Sequence, residues 1–137
     1  MIKVIDKLAW VLIKDGKLLV VRSKGKELFY LPGGKREAGE SDQQALVREI
    51  KEELSVELDS KSIKYMETFI AQADGKAEGV SVKLTCYFAD FSGELLPDAE
   101  IEELKFIDGR DEAVCSVAAL VVLKWLESKS LITGKTL

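Results

Sequence analysis

The chain contains no histidine, only two cysteines and two prolines, and fewer basic than acidic residues. Each scarcity closes off some chemistry. Without histidine there is no Ser-His-Asp or Cys-His nucleophile, no His-ligated zinc and no imidazole acid or base. A formal net charge of -4 argues against a phosphate-matching positive surface, so no nucleic-acid polymer is expected as a partner and an anionic ligand must be met locally. Cys86 lies in an alternating strand pattern and Cys115 in an apolar helical one, which points to buried thiols rather than a disulfide or zinc site and fits a reducing cytosol. No run approaches the roughly 18 apolar residues needed to span a bilayer. The opening MIKVIDKLAW lacks the uncharged apolar core of a signal peptide. These absences predict a soluble, cytoplasmic, unprocessed chain with no membrane partner.

What is present fits one compact unit. A chain of 137 residues with 47% hydrophobic content can bury one substantial core, so a single domain over residues 1–137 is expected. The remaining reactive side chains are carboxylates, lysines and tyrosines. Carboxylate oxygens are hard ligands suited to magnesium or manganese, so a cluster of them points to metal-assisted phosphate chemistry.

Leu8 to Lys14 and Lys17 to Arg22 are β-rich runs separated by Asp15-Gly16, a dipeptide suited to the positive φ angles of a two-residue hairpin. The following SKGKELFYLPGG reads as a loop. Ser41 with Gln44 has capping-box spacing and predicts a helix from about Asp42 to Leu54. Ile63 to Ala71 and Val80 to Phe91 read as strands, the second alternating with one buried face, joined by a polar turn containing Asp74-Gly75. Leu104 to Ile107 is a short strand candidate. Asp111 to about Leu126 predicts a helix packing through Val114, Val117, Ala118, Val121 and Trp125, widened by Leu120 and Leu123. Hairpin signals between strand pairs favour a mixed, largely antiparallel sheet with flanking helices over a doubly wound parallel one. Trp10 and Trp125 are assigned to the core.

On the Asp42 to Leu54 helix, Leu46, Val47, Ile50 and Leu54 share one face, while Glu49, Glu52 and Glu53 share another at spacings of three and four. Like charges so placed repel by a few tenths of a kcal/mol per pair, unless a cation sits between them. A solvated acidic face with Arg48 and Lys51 as counterions is the plain alternative.

The surrounding stretch, GKREAGESDQQALVREIKEELSV from Gly34 to Val56, resembles the Nudix box, G-x5-E-x7-R-E-U-x-E-E-x-G-U with U a bulky aliphatic residue. Gly34, Glu40, Arg48, Glu49, Ile50, Glu52, Glu53 and Val56 fall in register. Ser55 stands where the family usually has glycine, which costs ~1 kcal/mol if that residue turns left-handed. The LPGGK segment from Leu31 to Lys35 and a C-terminal helix extend the likeness. The resemblance implies an α/β/α sandwich with a mixed sheet and a magnesium-dependent hydrolase of a nucleoside diphosphate linked to another group, manganese being an alternative ion. It implies metal binding by Glu49, Glu52 and Glu53 with the backbone carbonyl of Gly33, and by Glu40 through water or a second ion. Arg48 and Gly34 are then structural, the arginine aiming a carboxylate at the metal. The general base stays open among Glu52, Glu53, Glu102 and Glu103. Arg22 and Lys35 are candidates for substrate phosphate, and Phe29 or Tyr30 for stacking on a base, with core packing expected of at least one of the two.

A MutT-like pyrophosphohydrolase acting on a nucleoside triphosphate is the leading expectation, because members acting on ADP-ribose or nucleotide sugars commonly carry an extra N-terminal region. The chain has no asparagine, whereas the best-known MutT members read oxidised guanine with one, so Asp108, Asp111 or backbone groups would substitute. An isomerase of the same fold needs metal-binding histidines. A non-catalytic nucleotide-binding module is the remaining alternative. Specificity is assigned to the loops around Ala71 to Gly79 and Leu95 to Glu103, and the chain is expected as a monomer or homodimer.

Overall fold

The computed structural model describes residues 3–73 and 76–134. The expected Asp74-Gly75 turn lies outside the described residues. Strands β1 (Lys3–Val11), β2 (Ile13–Lys14), β3 (Lys17–Ser23) and β4 (Gly33–Gly34) precede helix α1 (Asp42–Leu54). Strands β5 (Glu57–Leu58), β6 (Lys64–Gln72), β7 (Val80–Phe88), β8 (Phe91–Ser92) and β9 (Ile101–Ile107) follow, and helix α2 (Val117–Ser128) comes last.

One sheet has the order β4-β1-β7-β6 and another β2-β3-β9, with β5 and β8 forming a small pair. Both larger sheets share a simple logic. Residues 8–11 and 18–21 are all buried, as expected of strands covered on both faces. Ala9, Val11, Leu18 and Val20 pack in the cluster built on α2. Their neighbours Leu8, Trp10, Leu19 and Val21 pack in the cluster built on α1. A helix therefore covers each side of the strands, and the expected α/β/α sandwich with a mixed sheet is the observed architecture. Trp10 is fully buried and donates its Nε1–H to the Ala89 carbonyl at 3.0 Å. Trp125 is half-buried, edge-on to Phe69.

The hairpin is real but short. Asp15 and Gly16 both have positive φ, and only Ile13↔Leu18 and Lys14↔Lys17 pair across them. The expected single strand from Leu8 to Lys14 breaks at Leu12, because β1 leaves to run parallel to β7 over nine residue pairs. The Ser41–Gln44 capping box forms, and α1 has the expected bounds. Strand β9 begins three residues earlier than expected.

The C-terminal helix differs more. A 3-10 turn over Gly109–Val114 ends in extended backbone at Cys115, and α2 starts only after Ser116, whose side chain accepts from the Ala119 N–H. The displacement has a cause in the long loop after β3. Phe29 N–H donates to Val114 O, and Ser116 N–H donates to Phe29 O, holding residues 114–116 extended. The buried face of α2 is Ala119, Val122, Leu123 and Leu126. Val117 is 41% exposed, so the expected stripe was rotated: a helix apolar nearly all round does not fix its own phase.

Candidate active site

The site is built where α1 meets the Gly33–Gly34 turn. The turn pairs with β1, Gly34 opposite Leu8 and Gly33 opposite Ala9. Both glycines are required by contact. A Cβ on Gly33, which has φ +145, would stand 2.0 Å from the Leu8 carbonyl oxygen, and one on Gly34 would stand 2.5 Å from the Glu49 carboxylate. Missing side chains thus let a carboxylate lie against backbone.

Glu53 accepts the Gly33 N–H at 3.0 Å. Burial pushes its carboxyl up to about 8, against the pull of that hydrogen bond. Glu49, one turn back, is also raised by burial. Arg48 ties the neighbourhood together. Its Nε and Nη2 grip Glu40 at 2.7 and 2.9 Å, Nη1 donates to Glu49 at 3.0 Å, and Nη2 also donates to the Lys35 carbonyl at 3.1 Å. The Arg48 hydrogen bonds hold the Glu40 carboxyl down to about 2, with help from the Glu37 N–H. Glu52 is 55% exposed and meets Arg48 only at 3.5 Å. Lys51, the other expected counterion, pairs instead with Glu57.

Among the described residues, no three acidic or cysteine side chains converge on one point, with the Arg48 guanidinium standing beside Glu49 and Glu52. A divalent ion nevertheless fits the donors. Glu53 loses water with only the Gly33 N–H in return, Glu49 shares one guanidinium with Glu40, and hard oxygens on adjacent turns match magnesium or manganese. Glu52 would join them by a change of rotamer.

Glu49, Glu53, Gly33, Gly34 and Lys35 line a cavity of about 490 Å³, a size suited to a small ligand. Other expected site residues stand elsewhere. Arg22 lies opposite Glu103 on β9 and is bound to it at 3.1 Å and to the Lys26 carbonyl at 3.0 Å, and Glu102 is 3.5 Å from the same guanidinium. None of the three lines the cavity. Phe29 does not reach the cavity: it is 5% exposed in the α2 cluster, with the Arg22 and Lys105 cations over its ring, so it packs in the core. Tyr30 lines the cavity instead. Successive residues of extended backbone point oppositely, and the Val21↔Tyr30 and Phe29↔Cys115 bridges decide which aromatic goes inward.

Glu100 is the residue that sequence reasoning missed. It lines the cavity and adds to the repulsion felt by Glu49 and Glu53. The end of α1 holds its loop, since Leu96 N–H donates to Leu54 O and Asp98 N–H to Glu53 O. The acidic run PDAEIEE carried the signal, but the irregular register at the start of β9 and the Arg22 guanidinium hold Glu102 and Glu103 elsewhere. Ser55 at the helix end is left-handed, φ 63, as expected.

The fold and this turn-and-helix arrangement define a recognisable class, and comparison identifies it: residues 7–128 match the NUDIX domain, and the chain belongs to that family. It is 31% identical over 101 residues to an ADP-ribose pyrophosphatase of Methanocaldococcus jannaschii, covering 72% of this chain and 58% of that protein. It is 41% identical over 59 residues to a CTP pyrophosphohydrolase of Escherichia coli, covering 40% of this chain and 44% of that one. The chain thus spans 44% to 64% of the length of the relatives it matches. In structure it is similar to the E. coli ORF135 protein, with TM-score 0.70 and 28% identity over 93% of this chain and 91% of that one. A MutT NUDIX hydrolase from Burkholderia pseudomallei has the same fold, with TM-score 0.71 and 23% identity over 89% and 97% of the two chains. Among the described residues, no helix is long and apolar enough to cross a membrane.

Proposed function

We propose that the chain is a magnesium-dependent pyrophosphohydrolase that splits the diphosphate of a nucleoside diphosphate linked to another group, with a nucleoside triphosphate, cleaved to monophosphate and pyrophosphate, as the preferred substrate. One observation carries the reading: two half-buried carboxylates, Glu49 and Glu53, both raised by burial, border a cavity beside a turn that only glycine can form. Glu49, Glu52, Glu53 and the Gly33 carbonyl would hold the ion, and Glu40, already in the fork of Arg48, would join through water. A bound magnesium or manganese ion neutralises diphosphate oxygens and lowers the pKa of an attacking water.

The chain's own residues do the rest. Lys35, on the cavity wall, offers an ammonium to a phosphate oxygen. Glu53 and Glu100 face the cavity and are the carboxylates open to the proton of the attacking water, whereas Glu103 is engaged by Arg22. Arg48 is a positioning residue that keeps Glu49 against the turn. Hydrolysis of ADP-ribose is a second reading, supported by the 31% identity to an ADP-ribose pyrophosphatase.

A panel of canonical and oxidised nucleotides, ADP-ribose, nucleotide sugars and dinucleoside polyphosphates, assayed with magnesium and with products resolved, separates these readings. Glu52→Gln should lower magnesium-dependent turnover by on the order of a hundredfold or more. The exposed position of Glu52 predicts an unchanged melting temperature. Absence of turnover across the whole panel would leave only a nucleotide-binding module.

A further inference from the structure

The cavity has a second end, far from the carboxylates, formed by Gln72 and Ala73 at the end of β6 and by Lys76. Strand register gives the separation. Gly34 lies opposite Leu8 on β1, while Gln72 lies opposite Ser81 on β7, which lies opposite Val4 on β1. Four residues along a strand and three strand spacings across the sheet amount to roughly 20 Å between backbones. Side chains reaching inward from both ends shorten that to the span of an extended nucleotide.

Gln72 is fixed in an informative way. Its Nε2 donates to the Ala73 carbonyl at 3.3 Å and to the Ala77 carbonyl at 3.2 Å. Both partners can only accept, so the nitrogen must face them and the amide cannot be turned over without losing both bonds. Both amide hydrogens are therefore used. Oε1 is left to a ligand as an acceptor, and among the described residues no donor is bonded to it.

We propose that Gln72 is a specificity determinant: the base of the nucleotide reaches this end of the cavity and is selected by an exocyclic amino group donating to Gln72 Oε1. The inference rests on the pyrophosphohydrolase reading and narrows its substrate class to amino-bearing bases, cytosine over uracil and adenine over hypoxanthine. A keto oxygen in the amine's place would face Oε1, acceptor against acceptor. The amide has no spare hydrogen to turn towards it. Gln72 is exposed in the free chain, and a base that covers it without answering Oε1 strips that oxygen of water, which rejects a ligand more strongly than a merely missing contact does.

The test compares kcat/KM with magnesium for CTP against UTP and for ATP against ITP. The amino member of each pair should lead by about tenfold or more, and Gln72→Leu should bring each ratio to within about twofold of one. Ratios near one in the wild-type chain, or ratios unchanged in a folded Gln72→Leu variant, overturn the proposal. Should that variant fail to fold, the wild-type ratios decide alone. Should no nucleotide turn over, the activity reading fails separately, and calorimetric binding of the same four nucleotides decides this one: a preference for CTP and ATP supports it, and equal affinities or no binding sink it.

Discussion

Two arginine–carboxylate clusters, one on α1 and one ahead of α2, use the same chemistry for different ends. Arg110 grips Asp108 at 2.7 Å, and Arg48 grips Glu40 at the same distance; each carboxyl is held down to about 2 by its arginine. The Asp108 cluster closes on itself. Asp108 is 1% exposed, accepts the Arg110 N–H, and donates its own N–H to the Asp111 carboxylate, so these hydrogen-bond partners lie within three residues and the result is a capped 3-10 turn leading to α2. Arg48 reaches outward instead, to the Lys35 carbonyl thirteen residues away and to Glu49 at the cavity. A depressed carboxyl alone does not mark a functional site. What else the arginine touches does.

Breaking each cluster should separate the two roles. The largest effect is expected from Arg48→Ala, which frees Glu40 and lets Glu49 swing from the turn. Manganese affinity measured by calorimetry should fall about 10- to 100-fold, as when the partner of a metal ligand is lost, and Glu40 should titrate well above its present value of about 2 by NMR. An unchanged affinity would reduce Arg48 to a surface counterion.

Asp108→Ala should instead cost about 1–3 kcal/mol in urea unfolding, through a lost cap and an unanswered N–H, with manganese affinity unaltered. Its pH dependence has a definite sign. The folded carboxyl is depressed from 3.8 to about 2, so its stabilisation is present above pH 3.8 and is lost as pH falls towards 2. The gap in stability between wild type and variant should close across that window. The smallest effect belongs to Ser55→Gly at the end of α1. It removes a Cβ from a left-handed residue and a long 3.5 Å contact to Asp98, for a gain of about 1 kcal/mol or less in urea unfolding without change in manganese binding.

Local signals were readable in the sequence and long-range ones were not. The capping box, the bounds of α1, the Asp15-Gly16 turn and the left-handed Ser55 all depend on residues within four positions of one another. Strand β1 pairing in parallel with β7 joins segments more than seventy residues apart, and no local pattern encodes that partner. The start of α2 is set by the Phe29 backbone, far upstream. At the site, the box placed Glu49, Glu53 and Gly34 at the cavity, whereas Phe29 against Tyr30 turned on parity and Glu103 against Glu100 on the irregular start of β9. Both alternatives have the right chemistry, and only tertiary pairing decides which one points inward.

Strand β1 carries a further obligation. Its even residues fill one core and its odd residues the other, while the Leu8 carbonyl sits directly beneath Gly33. Sliding this strand by a single position would thrust the indole of Trp10 towards α2, strip the α1 side of its largest side chain and misalign the glycine ledge on which the acids rest. Tolerance to insertion should therefore be least in this strand and greatest at the cavity's outer rim, where new specificities can be tried without disturbing how the chain folds.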